Sequence, residues 1–196
     1  MADKENFGRR EISLSAQEAY QLTLYQIGAL FAFTQAAGVP LHHVKPHGAL
    51  YNMAARDINL AEAIAQAVAD FDQNLILYGL SGSQLILAAN KIGLQVANEV
   101  FSDRTYQSNG MLTPRSEPNA LITSEDIAIN QVLDMVLNSQ VQSTQGSVVP
   151  IIADTLCIHG DGQHALSYAQ TIHRSLTEAN IKISPIKKSN PYKARK

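Results

Sequence analysis

The chain has little with which to cross-link itself or to insert into a membrane. Its one cysteine, Cys157, excludes an internal disulfide, and the apolar neighbours at 151–159 predict an inert, buried strand thiol. No apolar run reaches the length of a bilayer span, and the N-terminus lacks the hydrophobic stretch of a secretory signal, so the expected location is the cytoplasm. With 15 basic and 17 acidic residues and a net charge of −2, there is no general attraction to nucleic acid or to an anionic membrane surface. Only residues 187–196 are conspicuously basic, and their few large apolar groups predict a solvated tail. Internal repeats and low-complexity linkers are missing. So are HExxH and paired CxxC spacings, and any glycine-rich loop ending in lysine that would cradle a phosphate. The stretch from Gly79 to Gly82 is too short to replace such a loop.

What is present suits one sizeable core: 196 residues, 45% of them hydrophobic and 16% charged. Ser15 and Glu18 form a capping-box pattern that opens a helix to about Ala37, which Gly38 and Pro40 stop. Further helices are expected at 49–55, 60–71, 82–92, 124–138 and 163–179, where aliphatic residues recur every three to four positions. Short apolar runs at 41–45, 75–78, 95–101, 150–159 and 182–186 read as strands. This alternation implies an α/β fold with a mainly parallel sheet, one domain over residues 1–186 and the tail at 187–196. Residues 102–123 are the longest break. Their content of Asp103, Arg104, Tyr106 and Arg115 favours a functional loop.

Parallel strands open their C-terminal ends on one face, and the chemistry-bearing residues fall at those ends: Lys45 and His47, then Tyr78 and Ser81, then Glu99 and Asp103, then His159 and Asp161. Within residues 43–52, HVKPHGALYN, Pro46 holds Lys45 extended, and Gly48 lets the backbone approach whatever binds there. Lys45 suits a carboxylate or a developing oxyanion, although a strand-end lysine also snorkels to solvent. His47 suits a general base, an oxyanion donor or a ligand, and otherwise a helix cap. Tyr51 and Asn52, one turn into the next helix, either face the pocket or pack beneath it. Glu99 suits the orientation of water. Asp103 and Arg104 either bind substrate or pair to pin the long loop. Arg115 suits a bidentate grip on a carboxylate or phosphate, and Asp161 beside His159 is alternatively a helix N-cap. His47, Glu99, His159 and Asp161 together offer ligands for a divalent ion, without a diagnostic spacing. His42 and His43, adjacent on a strand, are expected on opposite faces, one in the core and the other under a helix.

Three segments, VKPHGALYN at 44–52, EVFSDRTY at 99–106 with the loop at 110–118, and DTLCIHGD at 154–161, resemble the LamB/YcsF family in order and spacing over nearly the whole chain. The resemblance implies an irregular, TIM-like (β/α) barrel of the sugar-deacetylase type. It also implies ATP-dependent hydrolysis of 5-oxoproline (pyroglutamate) to L-glutamate within a multi-subunit 5-oxoprolinase, with partner subunits B and C and with ATP and Mg²⁺ as cofactors. Taken with the strand-end pattern, catalysis falls to Lys45, His47, Glu99 and His159, and substrate binding to Tyr51, Asn52, Asp103, Arg104, Arg115 and Asp161. Residues 3–11 resemble a segment that lies well inside family members. The family's first strands, with their acidic and histidine-bearing motifs, are therefore expected to be missing, which leaves a sheet edge open to a partner or a second copy. Two rival readings are a metal-dependent amide or sugar deacetylase-like hydrolase and an inactive truncated fragment acting through association.

Overall fold

Ser15 opens the first helix as its pattern requires. Its Oγ accepts the Glu18 N–H at 3.2 Å, and the Glu18 carboxylate accepts the Ser15 N–H at 2.8 Å, so two backbone donors that a helix start leaves orphaned are satisfied. The computed structural model of the protein describes residues 3–160 and 165–188. Helix α1 (Ala16–Ala36) is followed by strand β1 (His43–Val44), helices α2 (Ala49–Arg56) and α3 (Ile58–Phe71), strand β2 (Ile76–Leu80), helix α4 (Gln84–Lys91) and strand β3 (Gln95–Phe101). Then come α5 (Glu125–Leu137), β4 (Gln140–Gln142), β5 (Val148–Pro150), β6 (Thr155–Cys157) and α6 (Ala165–Glu178). Asp57 separates α2 from α3 by capping the second, its carboxylate taking the Asn59 and Leu60 N–H groups at 2.8 and 3.3 Å.

Strands β1, β2, β3 and β6 are hydrogen-bonded in that order. The β1/β2 and β3/β6 pairs are parallel, with His43 opposite Ile76 and Glu99 opposite Thr155, as helical crossovers require. The described residues form two compact units, one reaching to Ala97 and including Lys187 and Lys188, the other covering 98–186. In the first, α1 and α3 pack together, and Leu50, Ile64, Val68, Leu75, Leu77 and Leu85 share one core. Each fully buried aliphatic side chain there contributes roughly 1.5–3 kcal/mol relative to exposure. The second unit buries Val100, Tyr106, Val132, Met135, Val141 and Ile172. No helix among the described residues is long and apolar enough to cross a membrane.

Several expectations need correction. The run at 41–45 supplies only a two-residue strand, and its side chains are exposed or half-buried rather than buried. The run at 150–159 is not one strand. Val148–Pro150 pairs backwards with Gln140–Gln142 in a hairpin, and β6 begins only after the Asp154 carboxylate has taken both the backbone N–H and the side-chain amide of Asn98, each at 2.8 Å. Residues 182–186 form no strand, since Pro185 has no N–H to give a ladder. Cys157 is half-buried rather than buried.

Candidate functional site

In the first unit the candidate residues gather around the turn between β1 and α2. Gly48 has φ 62° and ψ −127°, a conformation essentially reserved for glycine. A Cβ there would sit 2.5 Å from the Gly8 carbonyl oxygen, because that oxygen accepts the Ala49 N–H at 2.8 Å and closes the start of α2. Gly48→Ala is therefore expected to cost about 2–4 kcal/mol from backbone strain plus collision. A denaturant melt with an unchanged midpoint would show that the two backbones do not meet.

His47 lies beside the same contact, its Nε2 3.0 Å from the Phe7 carbonyl. A carbonyl only accepts, so the neutral ring carries its proton on Nε2 and its lone pair on Nδ1. Lys45 is exposed, with Nζ 5.5 Å from the centre of the Tyr51 ring. Tyr51 is itself only 4% exposed and packs beneath the lysine. The Asn52 side-chain amide donates back to the Gly48 carbonyl at 3.3 Å. His42 and His43 do not diverge to opposite faces. Both are exposed, and their Nδ1 atoms lie 3.2 Å apart, because His42 precedes the two-residue strand and the pleat does not separate them. His43 instead stacks on Tyr78 at 4.3 Å.

In the second unit β3 delivers Glu99, 3% exposed, and then runs into the long loop. Asp103 pairs with His159, its two carboxylate oxygens lying 2.8 and 3.0 Å from Nδ1. The imidazole also stacks on Phe101, with ring centres 5.9 Å apart. Arg115 brings Nη2 to 3.5 Å from His159 Nε2. A carboxylate accepts and a guanidinium donates, so the neutral His159 ring holds its proton on Nδ1 and its lone pair on Nε2. This tautomer is opposite to that of His47.

Arg104 does not pair with Asp103. It is 4% exposed and gives Nε to the Ala120 carbonyl at 3.2 Å and Nη2 to the Thr113 carbonyl at 2.5 Å, which gathers both sides of the loop. Burial, and then the nearby Arg115, lower its pKa from the ordinary guanidinium value. Asp161 lies outside the described residues.

Sequence reasoning missed the supports. Gln131, on α5, donates to the Phe101 and Arg104 carbonyls at 3.2 and 2.9 Å. The buried Tyr106 hydroxyl accepts the Phe101 N–H at 2.8 Å, and burial pushes its pKa up. The buried Tyr168 hydroxyl on α6 is likewise shifted up, chiefly by burial and in part by the Asp103 charge. Tyr106 lies inside a motif already singled out, but nothing in the periodicity of α5 or α6 distinguishes Gln131 or Tyr168 from ordinary flank residues. Among the described residues no three His, Cys, Asp or Glu side chains gather in a metal-binding group.

The LamB/YcsF family model matches residues 1–191. The 5-oxoprolinase A subunit of Tolumonas auensis is 57% identical over 183 residues, covering 93% of this chain and 73% of that relative. Its counterpart of the same name from Bacillus subtilis is 56% identical over 186 residues, covering 95% and 72%. The crystal structure of a lactam utilization protein from Thermus thermophilus superposes with a TM-score of 0.84 at 46% identity, over 94% of this chain and 73% of that one. The chain belongs to the LamB/YcsF family.

Proposed function

We propose that this protein acts in the ATP-dependent hydrolysis of 5-oxoproline to L-glutamate, as the A subunit of a cytoplasmic 5-oxoprolinase that also contains subunits B and C. The names carried by its relatives support the substrate class, and the observation that carries the chemistry is the Asp103–His159–Arg115 arrangement. Its strand and helix alternation further fits an irregular, TIM-like barrel of the deacetylase type.

A lactam carbonyl is a poor electrophile, so hydrolysis needs a base for water, a cation for the charge that develops on oxygen, and a proton for the departing nitrogen. His159 is assigned the base, since Asp103 holds its Nδ1–H and leaves the lone pair on Nε2, which is open to water once Arg115, 3.5 Å from Nε2, turns to the substrate carboxylate. As water adds, its oxygen bonds to the carbonyl carbon and its proton passes to Nε2. The carbon–nitrogen bond then breaks as Nε2 returns that proton to the nitrogen, which leaves as the amine of glutamate. Arg115 is assigned the substrate carboxylate. Within the first unit Lys45 is assigned a cation and His47 a lone pair at Nδ1, and within the second Glu99 is assigned the orientation of water. Tyr51, Asn52, Arg104 and Asp161 hold these groups or the substrate. When bound in the complex, ATP with Mg²⁺ would activate the lactam carbonyl.

Co-expression with subunits B and C should give glutamate release that requires ATP. Arg115→Ala is expected to raise KM by about 10- to 100-fold, the worth of a charge-assisted hydrogen bond, with a smaller change in kcat. Turnover that ignores ATP and vanishes on chelation would overturn this reading in favour of a metal-dependent amide hydrolase.

A further inference from the structure

Residues 3–10 are wound around one carboxylate. Asp3 is 2% exposed. It accepts the Asn6 side-chain amide at 2.7 Å and the Arg10 backbone N–H at 2.9 Å, and it lies 3.4 Å from the Arg10 guanidinium, while its own carbonyl accepts the Gly8 N–H at 2.9 Å. The turn so formed places two successive residues in the left-handed region, Phe7 at φ 53° and Gly8 at φ 70°. For a phenylalanine that conformation is costly, and burial of the ring does not hold it there, since Phe7 is 78% exposed.

What the strained turn achieves is directional. It turns the Phe7 and Gly8 carbonyls towards the β1/α2 turn, where the first meets His47 Nε2 at 3.0 Å and the second the Ala49 N–H at 2.8 Å. The absence of a Cβ at Gly48 lets the two backbones touch. We propose that Asp3 is a positioning residue for His47: by fixing the 3–10 turn it holds the imidazole in the Nε2–H tautomer and directs the lone pair of Nδ1 to the chemistry. The proposal rests on the reading that His47 serves catalysis only in its last clause. The hold on the ring stands without it. Hydrogen bonds from Asn6 and Arg10 also lower the Asp3 pKa from the ordinary carboxylate value, so the clasp is closed at neutral pH.

The test is long-range ¹H–¹⁵N spectroscopy of the histidine rings in the full chain, with His47 assigned by its loss in His47→Gln. The wild type should show the Nε2–H form. Asp3→Asn sets an amide donor against the Arg10 and Asn6 donors, and should shift the His47 tautomer ratio by about 3- to 10-fold, the worth of one hydrogen bond. Phe7→Gly keeps the carbonyl and relieves the strain, so it should leave the tautomer in place. If Asp3→Asn does not fold, Asn6→Ala removes one donor alone and should give a smaller shift in the same direction. A folded Asp3→Asn or Asn6→Ala chain with the wild-type ring spectrum overturns the proposal. Turnover with subunits B and C decides the other question: a shifted tautomer with unchanged kcat leaves the positioning intact and removes His47 from the proposed mechanism.

Discussion

Asp103→Asn is expected to lower kcat for 5-oxoproline by about 10²- to 10⁴-fold, the range that a positioned general base commands, with KM changed far less. The aspartate receives the Nδ1–H of His159 at 2.8 Å. An asparagine at the same place can present either its oxygen or its amide. When the amide faces the ring, Nδ1 must accept, the proton moves to Nε2, and the lone pair meant for water is gone. The His159 side chain is 28% accessible and that of Asp103 22%, so the fold loses little by the change and the melting midpoint should barely move. His159→Ala should cost about as much as Asp103→Asn, and the double variant little more than either, because two groups that act as one unit are not additive. Kinetics of the proposed complex with subunits B and C would check this. Additive losses, or a fall in stability matching the fall in rate, would mean that the pair is a structural tie.

The elements that sequence periodicity marks most clearly are those with a cap and a long apolar face. Ser15 and Glu18 announce α1 because the capping box is a local interaction, complete within four residues. Gly48 announces a turn because its reason is also local, a backbone that only glycine adopts. The hairpin at 140–150 was not legible, because Val148 to Pro150 merges with the apolar stretch that follows it. What separates them is a contact 56 residues away in sequence, between Asp154 and Asn98. The 182–186 stretch misled in the opposite way, having the composition of a strand but a proline where a ladder needs a donor.

The same distinction governs the site. Candidate residues at strand ends can be marked because parallel topology alone assigns such ends a face, so Lys45, His47, Glu99, Asp103 and His159 can be proposed one at a time. Their pairings cannot. Adjacent numbers suggest that Asp103 pairs with Arg104, yet the carboxylate lies against His159 and the guanidinium turns to carbonyls at Thr113 and Ala120. The tautomers of His47 and His159 are still further from the sequence, each being set by one distant acceptor, Phe7 in one case and Asp103 in the other.

Arg104→Met should destabilise the second unit by about 2–4 kcal/mol, because the buried Thr113 carbonyl loses its donor at roughly 1–3 kcal/mol, the Ala120 carbonyl keeps only the Thr105 N–H at 3.2 Å, and a buried side chain is repacked. Methionine fills much the same volume, so the loss reports hydrogen bonding rather than a cavity. The loop is also tied by backbone hydrogen bonds, Thr105 N–H to the Ala120 carbonyl at 3.2 Å, Thr113 N–H to the Thr105 carbonyl at 3.0 Å and Ile122 N–H to the Asp103 carbonyl at 2.9 Å, and by bridges of Arg104 with Leu121 and of Tyr106 with Leu112 and Ser143. None of these bonds reaches the Thr113 carbonyl, and without the guanidinium that joins it to the Ala120 carbonyl the segment from Thr113 to Ala120 should become more open to protease. Function should follow, since Arg115 sits on that loop and can meet His159 only while the loop is held. The expected signature is a raised KM alongside the lost stability, unlike the kcat effect of Asp103→Asn. Arg104→Lys separates charge from geometry: a lysine keeps the cation but cannot present two donors in a fixed fork, so it should reach one carbonyl and recover about half of the loss. Denaturant midpoints and limited proteolysis of the three proteins measure this directly. If Arg104→Met melts like the wild type and resists protease equally, the guanidinium does not hold the loop, and the arginine returns to the substrate-binding role that its position beside Asp103 first suggested.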